Sequence, residues 1–352
     1  MEISRRSVLT TAAAAALFAV PTTAAQAAEQ TPTSVVRTLR AAADHAIGKL
    51  RTVAPGVTAF PVGTKAEKWV YSQNGDWVGG FWPGTLWMAW LHSGDDTFRT
   101  LALDSAKKLA PRQTDTTTHD LGFLMDTMMN LDLLAFASEQ TGDEKYLAIA
   151  AEHANTAQRV FPRPDGSTPH VYDFDPATGT PIGPNTVQGY SPTSCWARGQ
   201  AWGIHGFTTI HRRTGDQQFL TTARRLADYA LGALTADHVP VWDYRAPQQP
   251  YDVKDASAGA IMACGLLDLS AATGRPECRE AALRLLTTSA KTCLTRNSTR
   301  AGAVVARCAR NRPAEDGIEI SLPYADYYLL EGILRVLQPQ DVDRAIDLSG
   351  AK

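Results

Sequence analysis

Apolar residues recur along this chain at helical spacing. Leu220, Ala223, Leu226, Ala227, Ala230, Leu231 and Leu234 fall mostly three or four apart and mark one stripe of a helix. Similar Ala- and Leu-rich segments dominate the interior, and strand-like alternation is missing, so the pattern predicts an all-α protein. A repeat punctuates these segments: Ser93-Gly94-Asp95-Asp96-Thr97-Phe98, Thr141-Gly142-Asp143-Glu144-Lys145-Tyr146, Thr214-Gly215-Asp216-Gln217-Gln218-Phe219, and a degenerate Thr273-Gly274-Arg275 before Pro276. Glycine suits the left-handed residue that follows a helix, and aspartate suits the cap of the next one. Short turns joining helical hairpins are therefore expected. Hairpins stacked sideways make either an open solenoid or a closed ring of inner and outer helices. Closure gathers loops at one end. The long irregular segments 60–83, 162–192, 237–255 and 307–323, rich in Pro, Gly, Asp and aromatic residues, are the expected functional loops.

The N-terminus has a different character. Arg5-Arg6 precedes an apolar run from Thr10 to Val20, and Ala25-Gln26-Ala27 offers a small-residue cleavage site, the pattern of a twin-arginine export signal. The run is shorter than the roughly 20 residues that span a bilayer. Residues 1–27 thus read as a removable signal and 28–352 as one domain, with secretion to the cell envelope or beyond and no membrane association after signal removal. The formal net charge is −2, with both signs scattered, and nothing selects for nucleic acid. Cys195, Cys264, Cys278, Cys293 and Cys308 are too few and too widely spaced for a disulfide scaffold, leaving one or two disulfides open. Oligomeric state is also left open.

Candidate chemistry lies in the loops and the helices that follow them. Arg198 and Trp202 stand at i and i+4 within SCWARGQAWGIHGF, on one helix face, where a guanidinium and a flat ring could hold a carboxylate and a sugar together. Trp77 and Trp196, flanked by glycine and polar residues, read as site residues, whereas Trp87 and Trp90 read as core. His170 and Gln188 sit among turn formers, and Asp255 reads as a helix cap. The chain has no Gly-rich phosphate loop, G-x-S-x-G elbow or H-E-x-x-H.

The segments GFWPGTLWMAW, HDLGFL, DTMMNLDLLAFAS, HVYDFDPATG, QGYSPTSCWARGQAWGIHGF, VWDYRAP, KDASAGAIMACGLLDL and SLPYADYYLLEGILRVL, in this order, resemble the unsaturated glucuronyl hydrolases of glycoside hydrolase family 88. The resemblance runs from about Trp77 to Leu337. It implies an (α/α)6-barrel-like toroid with a pocket at one end and no metal or organic cofactor. The implied substrate is an unsaturated uronyl oligosaccharide left by a polysaccharide lyase. A carboxylic acid would protonate C4 of its vinyl ether and water would add at C5. By the same resemblance Asp126 is the acid/base and Asp120 its partner. His170, Gln188, Arg198 and Trp202 line the sugar pocket, joined by Trp77, Trp196 and His119.

One departure stands out: Asp120 and Asp126, which begin two separate inner helices in the family, are only six positions apart here. On one continuous helix they would point about 120° apart with a rise of about 9 Å. The toroid is therefore expected to be contracted by one inner/outer helix pair. Three readings follow: an active glycosidase, a catalytically impaired glycan-binding relative, and a related (α/α) enzyme such as an unsaturated rhamnogalacturonyl hydrolase or a sugar epimerase.

Overall fold

The computed structural model describes residues 31–111, 127–247, 253–298 and 301–347; the expected signal segment lies outside them. Eleven helices occur among these residues: α1 (Thr33–Val53), α2 (Phe81–Ser93), α3 (Asp96–Leu109), α4 (Thr127–Thr141), α5 (Lys145–Val160), α6 (Ala197–Thr214), α7 (Gln217–Ala233), α8 (Ala256–Thr273), α9 (Pro276–Thr292), α10 (Pro323–Leu337) and α11 (Pro339–Asp347).

Each repeat forms the turn its residues predict. Gly94, Gly142, Gly215 and Gly274 follow their helices at φ 67°, 71°, 74° and 69°. In each turn the preceding hydroxyl, of Ser93, Thr141, Thr214 or Thr273, donates back to the carbonyl four residues earlier and accepts from the amide two residues later. Asp95, Asp143 and Asp216 then accept from the amides of Thr97, Lys145 and Gln218, which satisfies the first orphan donors of the next helix.

Burial marks the inner helices α6, α8 and α10 off from the outer ones, whereas the inner α4 buries only Thr127, Met128, Leu131, Ala135 and Ser138. The outer α1 buries a single stripe, Leu39, Ala42, Ala43, Ala46, Ile47 and Leu50. By contrast α6 is buried without interruption from Ala197 to Ile210 and α8 from Ala256 to Leu267. The length and apolar composition of α8 would allow it to cross a membrane; its enclosure by α6, α7, α9 and α10 accounts for that composition. The inner helices pack in the order α4, α6, α8, α10, α2, and α5, α7, α9, α1 and α3 lie outside them, giving an all-α toroid. Glycines draw the inner helices together: a Cβ on Gly206 would lie 2.6 Å from that of Met128 on α4, and one on Gly265 would lie 2.9 Å from the His205 backbone.

Two of the irregular segments contain β-hairpins that the sequence pattern did not predict. Strand β1 (Phe60–Lys65) pairs with β2 (Lys68–Ser72), and β3 (Val171–Phe174) with β4 (Pro181–Asn185). The first turn uses Ala66 and Glu67 at φ 47° and 66°. Consecutive left-handed residues normally advertise themselves as Asn-Gly or Asp-Gly, so Ala-Glu hid the hairpin. The cysteines also differ from what was left open: all five are free, buried thiols, and none forms a disulfide. They lie on different elements and serve as small apolar fillers, and burial pushes the Cys195 thiol up to about 12.

Candidate active site

Every long segment runs into the N-terminus of an inner helix, whereas the short Gly-containing turns follow the inner helices. Residues 60–80 lead to α2, 161–196 to α6, 234–255 to α8 and 293–322 to α10. The candidate residues meet at this end of the toroid.

Arg198, in the first turn of α6, is fully buried. One of its terminal nitrogens donates to Asp255 Oδ2 at 2.5 Å and to the Ala309 carbonyl at 2.6 Å. The other donates to Gln188 Oε1 at 2.8 Å and to the Arg310 carbonyl at 2.9 Å. Asp255 caps α8 as the sequence suggests, accepting from the amide and hydroxyl of Ser257. The partnership with Arg198 is what the sequence did not reveal, since 57 residues separate the two. The guanidinium also lies 4.4 Å from the Trp196 ring and 5.3 Å from that of Tyr324. Arg198 thus ties three loops and two helices together.

His170 completes this side. Its Nδ1 accepts from the amides of Val187 at 3.1 Å and Gln188 at 3.0 Å, so the neutral ring carries its proton on Nε2. Burial and the nearby Arg198 charge lower its pKa to about 3, which keeps the imidazole neutral under ordinary conditions. The ring packs on Trp196 with centroids 4.4 Å apart. A fixed, uncharged N–H donor results, suited to binding an oxygen rather than to delivering a proton.

The aromatic side of the site runs through Tyr324, in the first turn of α10. Trp77 stacks on it at 5.5 Å, and the fully buried Trp202 meets it edge-on at 6.4 Å. Arg198 and Trp202 do lie one turn apart on α6, and both reach Tyr324. Tyr324 was carried within a quoted motif but not singled out. Asp243 was missed as well: buried, it accepts from the Ser194 hydroxyl at 2.6 Å and the amides of Tyr190, Cys195 and Arg245, pinning the loop before α6. Trp87 and Trp90 pack partly buried against the core.

His119, Asp120 and Asp126 lie outside the described residues. Helix α4 starts at Thr127, the residue after Asp126, and Met129 and Asn130 of its first turn line a cavity of about 470 Å3 that Trp77 shares. Among the described residues no group of three or more His, Cys, Asp or Glu side chains converges as a metal site.

No protein-family model matches the chain. It is 33% identical over 270 residues to the unsaturated glucuronyl hydrolase of Bacillus sp. strain GL1, covering 60% of this chain and 72% of that one. The crystal structure of the Bacillus enzyme, described as responsible for glycosaminoglycan degradation, aligns at TM-score 0.76 and 29% identity over 86% of this chain and 97% of its own. An unsaturated chondroitin disaccharide hydrolase of Streptococcus pneumoniae is 30% identical over 56% of this chain and 64% of its own. The structure of an unsaturated glucuronyl hydrolase specific for heparin aligns at TM-score 0.82 and 26% identity, over 86% and 98% of the two chains. With a third of the aligned positions identical over 72% of the Bacillus enzyme, and with the same toroid, the chain belongs to the unsaturated glucuronyl hydrolases of glycoside hydrolase family 88 and is a glycoside hydrolase.

Proposed function

We propose that this enzyme removes the 4,5-unsaturated uronic acid from the non-reducing end of lyase-derived oligosaccharides, of the glycosaminoglycan kind that its relatives are named for. The observation that carries the reading is the continuous array His170–Trp196–Arg198–Tyr324–Trp77, built from two long loops and two inner helices at one end of the toroid. Ring faces and a neutral N–H donor suit a sugar. Because both terminal nitrogens of Arg198 donate to protein acceptors, it acts as a positioning residue that holds Gln188 and, through the 187–188 amides, His170. At this end Asp243 and Asp255 are both committed to the protein itself. The resemblance of DTMMNL and HDLGF to the family assigns the proton chemistry to Asp126, with Asp120 as its partner.

In this mechanism the Asp126 carboxyl delivers its proton to C4 of the vinyl ether, leaving positive character shared by C5 and the ring oxygen. The carboxylate then takes a proton from water as the water oxygen bonds to C5. The C5 hemiketal opens to a ketone, C1 is left as a hemiacetal, and its collapse to an aldehyde releases the next sugar. Loss of the conjugated double bond, followed by ultraviolet absorbance on unsaturated disaccharides, is the direct test. Asp126→Asn is expected to abolish it, and undiminished turnover by that variant would refute the assignment. Product analysis on a panel of lyase-derived oligosaccharides, rhamnogalacturonan fragments included, separates this reaction from rhamnogalacturonyl hydrolysis and from epimerisation.

A second reading is favoured by one observation: all that the chain offers between α3 and α4 is the stretch from Leu109 to Thr127, into which both aspartates are compressed. A binding protein that has lost turnover would retain the sugar and leave the double bond intact. We also propose twin-arginine export; lysine at both Arg5 and Arg6 should retain the protein in the cytoplasm on fractionation, and unchanged export would refute the signal.

A further inference from the structure

We propose that Asp326, in the first turn of α10, is a positioning residue of the reaction: it holds the loop segment 304–310, whose carbonyls in turn fix Arg198. This rests on the proposed function only in that Arg198 sets the side of the site that holds the sugar. The buried Asp326 carboxylate spans two consecutive amides, accepting from Val304 at 2.9 Å and from Val305 at 2.8 Å. Four residues after Val305 the chain presents the Ala309 carbonyl to Arg198 at 2.6 Å, and then that of Arg310 at 2.9 Å. Between these two anchors Arg307 stands at φ 61°, left-handed without the freedom of glycine, so its surroundings and not its own preference fix the turn. Its carbonyl accepts from the Ala256 amide at the start of α8 at 2.9 Å. The segment therefore has one end on Asp326 and the other on Arg198, with a braced turn between. A second path joins the same residues, because Tyr324, whose ring lies 5.3 Å from the Arg198 guanidinium, shares the first turn of α10 with Asp326.

Charge makes this anchor adjustable. An ionised acceptor binds an amide more strongly than a neutral one. The carboxylate form thus holds the segment firmly, and the carboxyl form, with a hydroxyl to place against two donors, holds it less. Burial pushes the Asp326 pKa up to about 7, opposed by the two amides and by the Lys49 charge. Lys49, on α1, is itself tied to this loop, donating to the carbonyls of Thr295, Ser298 and Ala301. Within the loop, Cys308 is the titratable neighbour, its thiol pushed up by burial and by the Asp255 and Asp326 charges. The other elements packed on α10, namely α2, α8, α9, α11 and β1, bring Asp326 no ion pair among the described residues. The loop is held most firmly above about pH 7, and the site loosens below it.

The test uses the mature protein labelled with nitrogen-15 at valine and arginine and followed by NMR between about pH 5 and 9. In the wild type the Val304 and Val305 amide signals and the Arg198 Nε–H signal should move together, with one midpoint near pH 7. Asp326→Asn should abolish the shift in all three, and Lys49→Gln should move the midpoint upward, since the charge that lowers it is gone. In turnover of an unsaturated disaccharide, Asp326→Asn should lose about tenfold in kcat/KM at about pH 8.5 and less than about twofold at about pH 5.5, where the wild type is itself neutral at this position. The ratio to wild type at each pH removes every titration that the two share. A merely structural anchor would give shifting valine signals with the Arg198 signal unmoved, or an equal loss of turnover at both pH values, and either result overturns the proposal. So would an Arg198 signal that Asp326→Asn leaves where it is in the wild type at about pH 8.5. The wild-type titration and Lys49→Gln keep the test standing if Asp326→Asn does not fold. A wild type that leaves the double bond intact defeats the functional reading alone, since the Arg198 signal decides the role of Asp326 without turnover.

Discussion

Replacing Asp255 by asparagine tests the idea that Arg198 is fixed by a buried ion pair and not by the substrate. The pair is closed from solvent, with side-chain exposures of 1% for Arg198 and 0% for Asp255 at 2.5 Å. Asparagine can keep the cap on α8, since its carbonyl oxygen can still accept from the Ser257 amide as Asp255 Oδ1 does at 3.1 Å. The substitution therefore keeps the cap while it removes the charge and turns an amide NH2 donor toward Arg198. Removing one partner of a buried pair leaves the other uncompensated and costs about 3–5 kcal/mol, a large share of a total stability of about 5–15 kcal/mol. Asp255→Ala should cost about 1 kcal/mol more, through the lost cap. Arg198→Met combined with Asp255→Asn should fall short of the sum of the single changes by about 1–3 kcal/mol, because the stranded charge is gone. Urea unfolding followed by tryptophan fluorescence gives these values, with an unchanged slope as the check on two-state behaviour. A loss below about 1 kcal/mol for Asp255→Asn, or strict additivity in the double variant, would refute the reasoning.

Two further outcomes follow from burial. His170, held neutral with a pKa lowered to about 3, binds no proton in the folded state between about 3 and its ordinary value, whereas the unfolded chain does. The sign follows directly: stability should fall as pH drops below about 6.5, at about 1.4 kcal/mol per pH unit from this group. Unfolding titrations of His170→Asn should lack that component, and parallel pH profiles for variant and wild type would contradict it. Leu133, 69% exposed on α4, should tolerate Leu133→Ser within about 0.5 kcal/mol. A loss of about 2–5 kcal/mol, as for a buried leucine, would mean that this face is covered.

What was legible in the sequence is what is local. The Ser/Thr-Gly-Asp turns carry their own φ and capping chemistry, so hairpins could be read directly. The hairpin at Ala66–Glu67 was hidden because its residues are not those that left-handed turns favour. At the site, Asp255 was visible as a cap but not as the anchor of Arg198. No local pattern encodes an ion pair closed by folding two loops onto two helices. The i, i+4 spacing of Arg198 and Trp202 gave their shared face correctly and said nothing about depth. An arginine that looks like a ligand clamp on a helix wheel becomes a buried brace once Asp255, Gln188 and two carbonyls surround it.

The exposed aliphatic side chains bear on the proposed contraction. Among the described helices, the large aliphatic residues left exposed are Leu103 on α3, Leu133 on α4 and Ile149 on α5, at 42%, 69% and 55%. Helices α3 and α4 flank the short stretch between Leu109 and Thr127 and α5 packs on α4, while the arc from α6 through α8 and α10 to α2 carries none. That distribution is what excision of one hairpin from an array of nearest-neighbour units would leave: two unpartnered flanks and otherwise intact interfaces. Each fully exposed side chain forgoes about 1.5–3 kcal/mol of burial, a sum that the remaining ring could survive. The proposed contraction would also account for the cavity, which Phe81 and Gly84 of α2 and Met129, Leu133 and Phe136 of α4 line. Space that a sixth inner helix would fill with side chains would then be left open between α2 and α4.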